Sequence, residues 1–215
     1  MTARDVLAAL KAKGKPATAA IYKRHGAADN VFGTLTSEIE KLRKKIKTDH
    51  ALALELWASG NEEARVLACQ IADPAKVDLK AWADFSRFVA YYMGGLAART
   101  PAADATMKAW TASADELVRE TGYGLLAARL KNGDALDAEP WLARIEKDIH
   151  GSPNLARHAM NNALIAIGVF VPGLRAKAVA AAKRIGKVEV DHGETNCETP
   201  DAVAYIAKAA RRARC

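Results

Sequence analysis

The stretch LALELWASGNEEARVLACQIADP, Leu52–Pro74, joins two alanine- and leucine-rich runs through Ser59-Gly60-Asn61 alone. Three residues are too few for a domain linker and the right number for a turn between antiparallel helices. Asn61 is a good N-cap, and Glu62 and Glu63 follow where a helix start favours negative charge. The stretch reads as a helical hairpin, and the rest of the chain repeats its grammar. Gly14, Gly26, Gly60, Gly133, Gly151 and Gly186 each sit near the end of a periodic apolar run, where a terminating glycine is expected. Ser37 with Glu40 and Ser113 with Glu116 fit the capping box, and Thr199-Pro200 reads as an N-cap followed by a first-turn proline. The short alternating run KVEV, 187–190, is too brief to support a sheet.

These signals predict helices at 3–13, 16–24, 37–48, 50–58, 62–72, 78–98, 102–110, 114–131, 138–149, 153–167, 172–185 and 200–213. About a dozen helices joined by short turns, with no internal linker, predict a single all-α domain over 1–215, a helical-repeat solenoid of stacked pairs. The pairs recur at about 35 to 45 residues, within the HEAT-like range. Half of the 215 residues are apolar but only 6% aromatic, so small aliphatic side chains fill the interior, and the length suffices for a sizeable core. Tryptophans 57, 82, 110 and 141 are expected to anchor that core.

Several function classes lack support. No run of about 18 apolar residues suggests a membrane span, and the first residues lack a signal-peptide apolar block. Cys69, Cys197 and Cys215 are odd in number and widely spaced, against a disulfide framework. A reduced, cytoplasmic, monomeric protein is expected. No phosphate-cradling glycine loop, G-x-S-x-G or H-E-x-x-H occurs, and no cofactor is implied. The loop EVDHGETNC, 189–197, gathers Asp191, His192, Glu194 and Cys197, but at no recognised zinc spacing, so no metal is predicted. A structured loop with Gly193 at a tight turn is the first reading, and a catalytic role for Asp191 or His192 the second. Cys69 falls on an apolar helix face and reads as inert.

The formal net charge of +7 suits a polyanionic partner. Lys41, Lys44 and Lys45 share one helical face, a stripe able to meet successive phosphates or simply to face solvent. Lys183, Arg184 and Lys187 form a second cluster, and Lys208, Arg211, Arg212 and Arg214 a third.

The opening stretch, with AAIYKRHGAADNVFG (Ala19–Gly33), EKLRKKIKTDH (Glu40–His50), LAARTPAADATMKAW (Leu96–Trp110), ETGYGLLAARL (Glu120–Leu130) and NLARHAMNNALIAIG (Asn154–Gly168), closely resembles the bacterial DNA alkylation repair family, the AlkD-type HEAT-like-repeat proteins. The resemblance covers nearly the whole chain in order. It implies a curved solenoid whose concave, basic groove holds double-stranded DNA, including DNA with alkylated bases. Active members are glycosylases that excise N3- or N7-alkylated purines. Those purines are cationic leaving groups, so the enzyme need only stabilise an oxocarbenium-like sugar and position water.

In active members a tryptophan followed four residues later by an aspartate serves that sugar. The matching positions here are Arg87 and Tyr91, a cation and a neutral phenol. Trp82 and Asp84 lie just upstream, two apart, and position four beyond Trp82 is Ser86. The family's second pair, a tryptophan and an arginine, corresponds to Asn162 and Ile165, and only the basic position at Arg157 persists. The resemblance therefore implies a DNA-binding family member, with excision of N3- or N7-alkylated purines by hydrolysis of the N-glycosidic bond at a divergent site as the activity to test, in which Arg157 and the basic stripes hold phosphate and Arg87, Tyr91 and Trp82 lie near the lesion. The alternative is a non-catalytic HEAT-repeat scaffold whose concave face takes nucleic acid or protein. Trp57 and Arg65 belong to the architecture: Trp57 is expected to pack one hairpin on the next, and Arg65 to reach a carboxylate or a helix C-terminus.

Overall fold

The computed structural model describes residues 1–212. It contains twelve α-helices and no β-strand among the described residues: α1 (Ala3–Lys13), α2 (Pro16–Arg24), α3 (Thr36–Ile46), α4 (His50–Ala58), α5 (Glu62–Ile71), α6 (Arg87–Ala97), α7 (Ala103–Thr111), α8 (Glu116–Asn132), α9 (Glu139–Asp148), α10 (Asn154–Phe170), α11 (Arg175–Ile185) and α12 (Ala202–Arg212). The contacts divide the chain into two compact units, Met1–Ala103 and Asp104 onward.

In the first unit α5 is the central element, packed by α4, α3, α6 and α1. Its Ala64, Val66, Leu67, Ala68, Cys69 and Ile71 are all buried, so an alanine-rich sequence serves close helix packing on several sides. In the second unit α10 holds that place, against α8, α9, α11 and α12. Gly122 of α8 shows how tight this packing is, since a Cβ there would stand 2.6 Å from the Thr111 nitrogen. No single helix among the described residues is long and apolar enough to cross a membrane. The bent pair Asn154–Phe170 and Pro172–Ile185 passes only jointly, with a 110° angle between its halves, and α10 is the buried centre of its unit.

The hairpin at the turn forms as its sequence suggests. Asn61 accepts from the Ala64 N–H, and Gly60 turns the chain at φ 67. The two glutamates that follow are not solvated. Both are fully buried, and the Glu63 carboxylate accepts the backbone N–H groups of Phe32, Gly33 and Thr34 at 3.1, 2.6 and 3.0 Å. Glu62 accepts from the Ser86 hydroxyl, and burial raises its carboxyl above the usual glutamate range. The pair thus pins the 28–34 loop and the start of α6 to the start of α5. Gly33, at φ 79, is required there, because a Cβ would lie 2.1 Å from the Lys15 carbonyl oxygen.

Four local expectations are corrected. The helix predicted at 78–98 begins only at Arg87; residues 74–86 form a 3-10 turn and irregular chain that ends on Ser86, the N-cap. Ser37 lies inside α3, and Glu40 binds Arg43 instead of closing a capping box. Asp115 caps α8, with Ser113 accepting from the Asp115 N–H. Asp201 caps α12 by accepting from Ala204, which leaves Thr199 and Pro200 in the preceding loop. In the last two cases a nearby polar side chain reached the free N–H groups from another register, a competition that spacing alone does not resolve, whereas α3 starts after Leu35 with no side-chain cap. Arg214 and Cys215 and the side chains of Arg211 and Arg212 lie outside the described residues, as does position 213 of the last predicted helix.

Candidate nucleic-acid interface

The residues of the hairpin motif form a lock. The Trp57 indole stacks on that of Trp82, with centroids 4.6 Å apart and planes inclined by 17°. The Arg65 guanidinium lies 5.0 Å from the Trp57 ring on its other contact, donates to the Trp57 carbonyl at the end of α4, and stands 3.6 Å from the Asp84 carboxylate. Arg65 therefore reaches both a helix C-terminus and a carboxylate. Trp82 is only 2% exposed, so its indole belongs to the packing between α4 and the 74–86 segment. Asp84 sits in irregular chain on the surface, facing Arg65.

Arg87 and Tyr91 lie four residues apart on α6 and share one face. Tyr91 is 79% exposed, the highest value among the large hydrophobic side chains of the described residues. Its ring meets that of Tyr92 edge-on at 5.3 Å. Tyr92 is half-buried, and burial pushes its phenol above the usual range. Beneath, Phe88 meets Tyr22 at 4.5 Å, and the Tyr22 hydroxyl donates to the Thr34 carbonyl.

The basic clusters are partly matched by carboxylates. On α3, Lys41 pairs with Glu38 at 2.6 Å, and Lys44 lies 4.0 Å from Glu40, which Arg43 holds more closely. In the second unit the Arg184 guanidinium forms a fork on Glu146, and Lys187 pairs with Glu189 at 2.7 Å. Lys45 and Lys183 are exposed. Each stripe does present its lysines to solvent, but with a net charge smaller than its cation count.

Arg157 is different. It is half-buried on α10, and its Nε is buried without a hydrogen-bond partner. Most other arginines of the described residues hold an internal acceptor: Arg129 pairs with Asp104 and Asp134, Arg144 with the Thr111 carbonyl and Asp148, and Arg175 with the Gly168 carbonyl.

Around Arg157 the 187–200 loop is tied down by polar groups of α10. Asn154 exchanges two hydrogen bonds with the backbone of Asp191, at 2.7 and 2.8 Å. Asn161 donates to the Pro200 carbonyl. His158 meets His192 edge-on at 5.1 Å, His192 bonds Thr199 at 2.9 Å, and Asn162 lies 3.0 Å from the His158 Nε2. Asp191 closes a local turn by accepting from Gly193. Cys197 is exposed, and no group of three metal-ligating side chains is assembled among the described residues. Ile165 is buried. Sequence reasoning missed the Asn154, His158 and Asn161 straps. Their signal was a row of polar residues at helical spacing on the face of an otherwise apolar helix.

The comparisons agree with this architecture. A family model described as DNA alkylation repair enzyme matches residues 6–206. An uncharacterized protein of Listeria innocua is 31% identical over 214 residues, covering 94% of this chain and 95% of its own. A second, from Listeria monocytogenes, is 30% identical over 216 residues, covering 95% and 96%. A solved structure, described as a new family of proteins related to the HEAT-like repeat DNA glycosylases with affinity for branched DNA structures, superposes with a TM-score of 0.87. It is 31% identical and covers 100% of this chain and 96% of its own. The fold is the all-α HEAT-like repeat of that neighbour. By its hairpin grammar, its helical architecture and a match along nearly its whole length, this chain belongs to the DNA alkylation repair family.

Proposed function

We propose that the protein binds DNA through its phosphate backbone and prefers branched over linear duplexes, without excising alkylated bases. The likeness along the full chain to a protein with affinity for branched DNA carries this reading. The chemistry of α6 supports its second half. A glycosylase of this family's kind needs a carboxylate beside the sugar to stabilise the developing oxocarbenium. Arg87 and Tyr91 occupy those positions with a cation and a phenol, and the nearby Asp84 carboxylate faces Arg65. Arg157, half-buried with an unsatisfied Nε, is the side chain best suited to a phosphate. Lys41, Lys44, Lys45, Lys183, Arg184 and Lys187 would add weaker, screened attraction. Backbone contacts of this kind carry little sequence preference. We take the acting species to be a monomer.

The test is a salt titration of binding to four-way junction, three-way junction, linear duplex and single strand, with release of 7-methylguanine and 3-methyladenine from alkylated duplex measured alongside. Tighter, salt-sensitive binding to the junctions with no base release above background is the expected result. Binding equal on all four substrates would remove the branched preference, and steady base release would restore a glycosylase. Failure to bind any DNA would leave the scaffold reading, with a protein as partner.

A further inference from the structure

Five of the chain's thirteen aromatic residues fall between Trp82 and Tyr92. Four of them are accounted for by packing or by contact with another ring: Trp82 on Trp57, Phe85 buried, Phe88 on Tyr22, and Tyr92 half-buried beneath Tyr91. Tyr91 alone among them is exposed, at 79%. A phenol ring standing in water on an ordered helix forgoes the burial that normally retains aromatic side chains inside. Its contact with Tyr92 is T-shaped, and it leaves most of the Tyr91 residue in water.

The surroundings of Tyr91 are open in one direction. One turn further along the same face lies Gly95, and a Cβ built there would meet no atom within 4 Å. Side chains on a helix lean toward its N-terminus, so any larger residue at 95 would lean over the Tyr91 ring. Glycine leaves that space empty, although it is a poor helix former in an interior turn. The next residue along this row, Arg99, folds back so that its Nε donates to the Gly95 carbonyl at 3.2 Å and its Nη2 to the Cys69 carbonyl at 3.0 Å. Both acceptors are neutral, so the guanidinium keeps its positive charge at the edge of the opening. At the other end of the row, Gly26 packs against the Arg87 side chain.

We infer that Tyr91, the space above Gly95 and the Arg99 guanidinium form a stacking site for an unpaired nucleobase, with Arg99 meeting the adjoining phosphate. The inference rests on the DNA-binding reading and deepens it by naming what distinguishes a branched substrate: bases without partners at or beside the branch. A flat, exposed ring accepts any base, because every base offers a π-face. The site therefore confers a preference for unpaired structure and not for sequence.

The experiment compares three DNAs built on one duplex sequence: a nicked duplex, a duplex with a short gap of unpaired thymidines opposite the break, and the same gap with abasic residues, the last two equal in length and charge. Wild-type protein should bind the thymidine gap about tenfold more tightly than the nicked or abasic forms, the scale of one base–aromatic stack. Tyr91→Ala should abolish that preference while leaving nicked-duplex binding unchanged, and Tyr91→Trp should keep it, with indole fluorescence quenched by the thymidine gap and not by the abasic one. Gly95→Leu, a change toward better helix propensity, should lose the preference while the fold is retained. Equal preference in wild type and Tyr91→Ala, with DNA binding intact, would overturn the stacking site alone. Absence of wild-type binding to all three DNAs would overturn the DNA-binding reading, and the stacking site with it.

Discussion

Glu62 and Glu63 show how one helix start can use two identical side chains differently. Glu63 receives three backbone N–H groups, the kind of charge-assisted bonding that offsets the cost of burying a carboxylate. Glu62 receives the Ser86 hydroxyl, and desolvation dominates its balance. Because the folded chain holds the Glu62 proton more tightly than the unfolded chain does, this group adds stability below the ordinary value of 4.5. That contribution is lost as the pH rises through the elevated folded value. Glu62→Gln, which keeps an oxygen for Ser86, should raise the Tm at pH 8, and the gain should shrink toward zero at pH 4. A Tm loss at pH 8, by thermal scans across that range, would contradict this account. Asp104 has the opposite sign: the hydrogen bond from Arg129 lowers its carboxyl below the usual 3.8. Its contribution is present at neutral pH and falls away in acid.

At the scale of elements, the 187–200 loop is held by side chains instead of by secondary structure. Asn154 supplies two of its ties, and Asn161 and the His158–His192 contact the others. Segments held this way open locally at a lower free energy than the packed core. Asn154→Ala should therefore speed proteolysis and amide exchange within 187–200 several-fold, while the global Tm moves by only a few degrees, since α10 keeps its buried face. Unchanged exchange in the loop would mean that the remaining ties suffice. The same loop drew notice in the sequence for its possible metal ligands. The structure turns Asp191 and His192 toward hydrogen bonds with Gly193 and Thr199.

For the whole molecule, the count of 32 lysines and arginines overstates the available cation, since several of them already face carboxylates; the net charge of +7 is what remains. Arg157→Ala should weaken binding to branched and linear DNA alike and reduce the slope of log K against log salt by about 1. A change confined to one DNA shape would assign Arg157 to shape reading instead. The Cys69 thiol, fully buried and pushed far up by desolvation, agrees with its reading as an inert packing residue.

Helix number, most turn positions and family membership were legible in the order of residues, because apolar periodicity and glycine or asparagine punctuation are local properties of the chain. So were the architectural parts of Trp57 and Arg65, whose partners lie within about thirty residues. What the sequence could not supply was the environment of each polar group. Two adjacent glutamates became buried clamps, a stretch predicted as helix became the irregular segment that presents Trp82 to Trp57, and three asparagines and histidines of α10 became straps for a distant loop. Those outcomes depend on which segments meet in space and how much water remains between them, and desolvation and long-range hydrogen bonding have no signature in spacing along the chain.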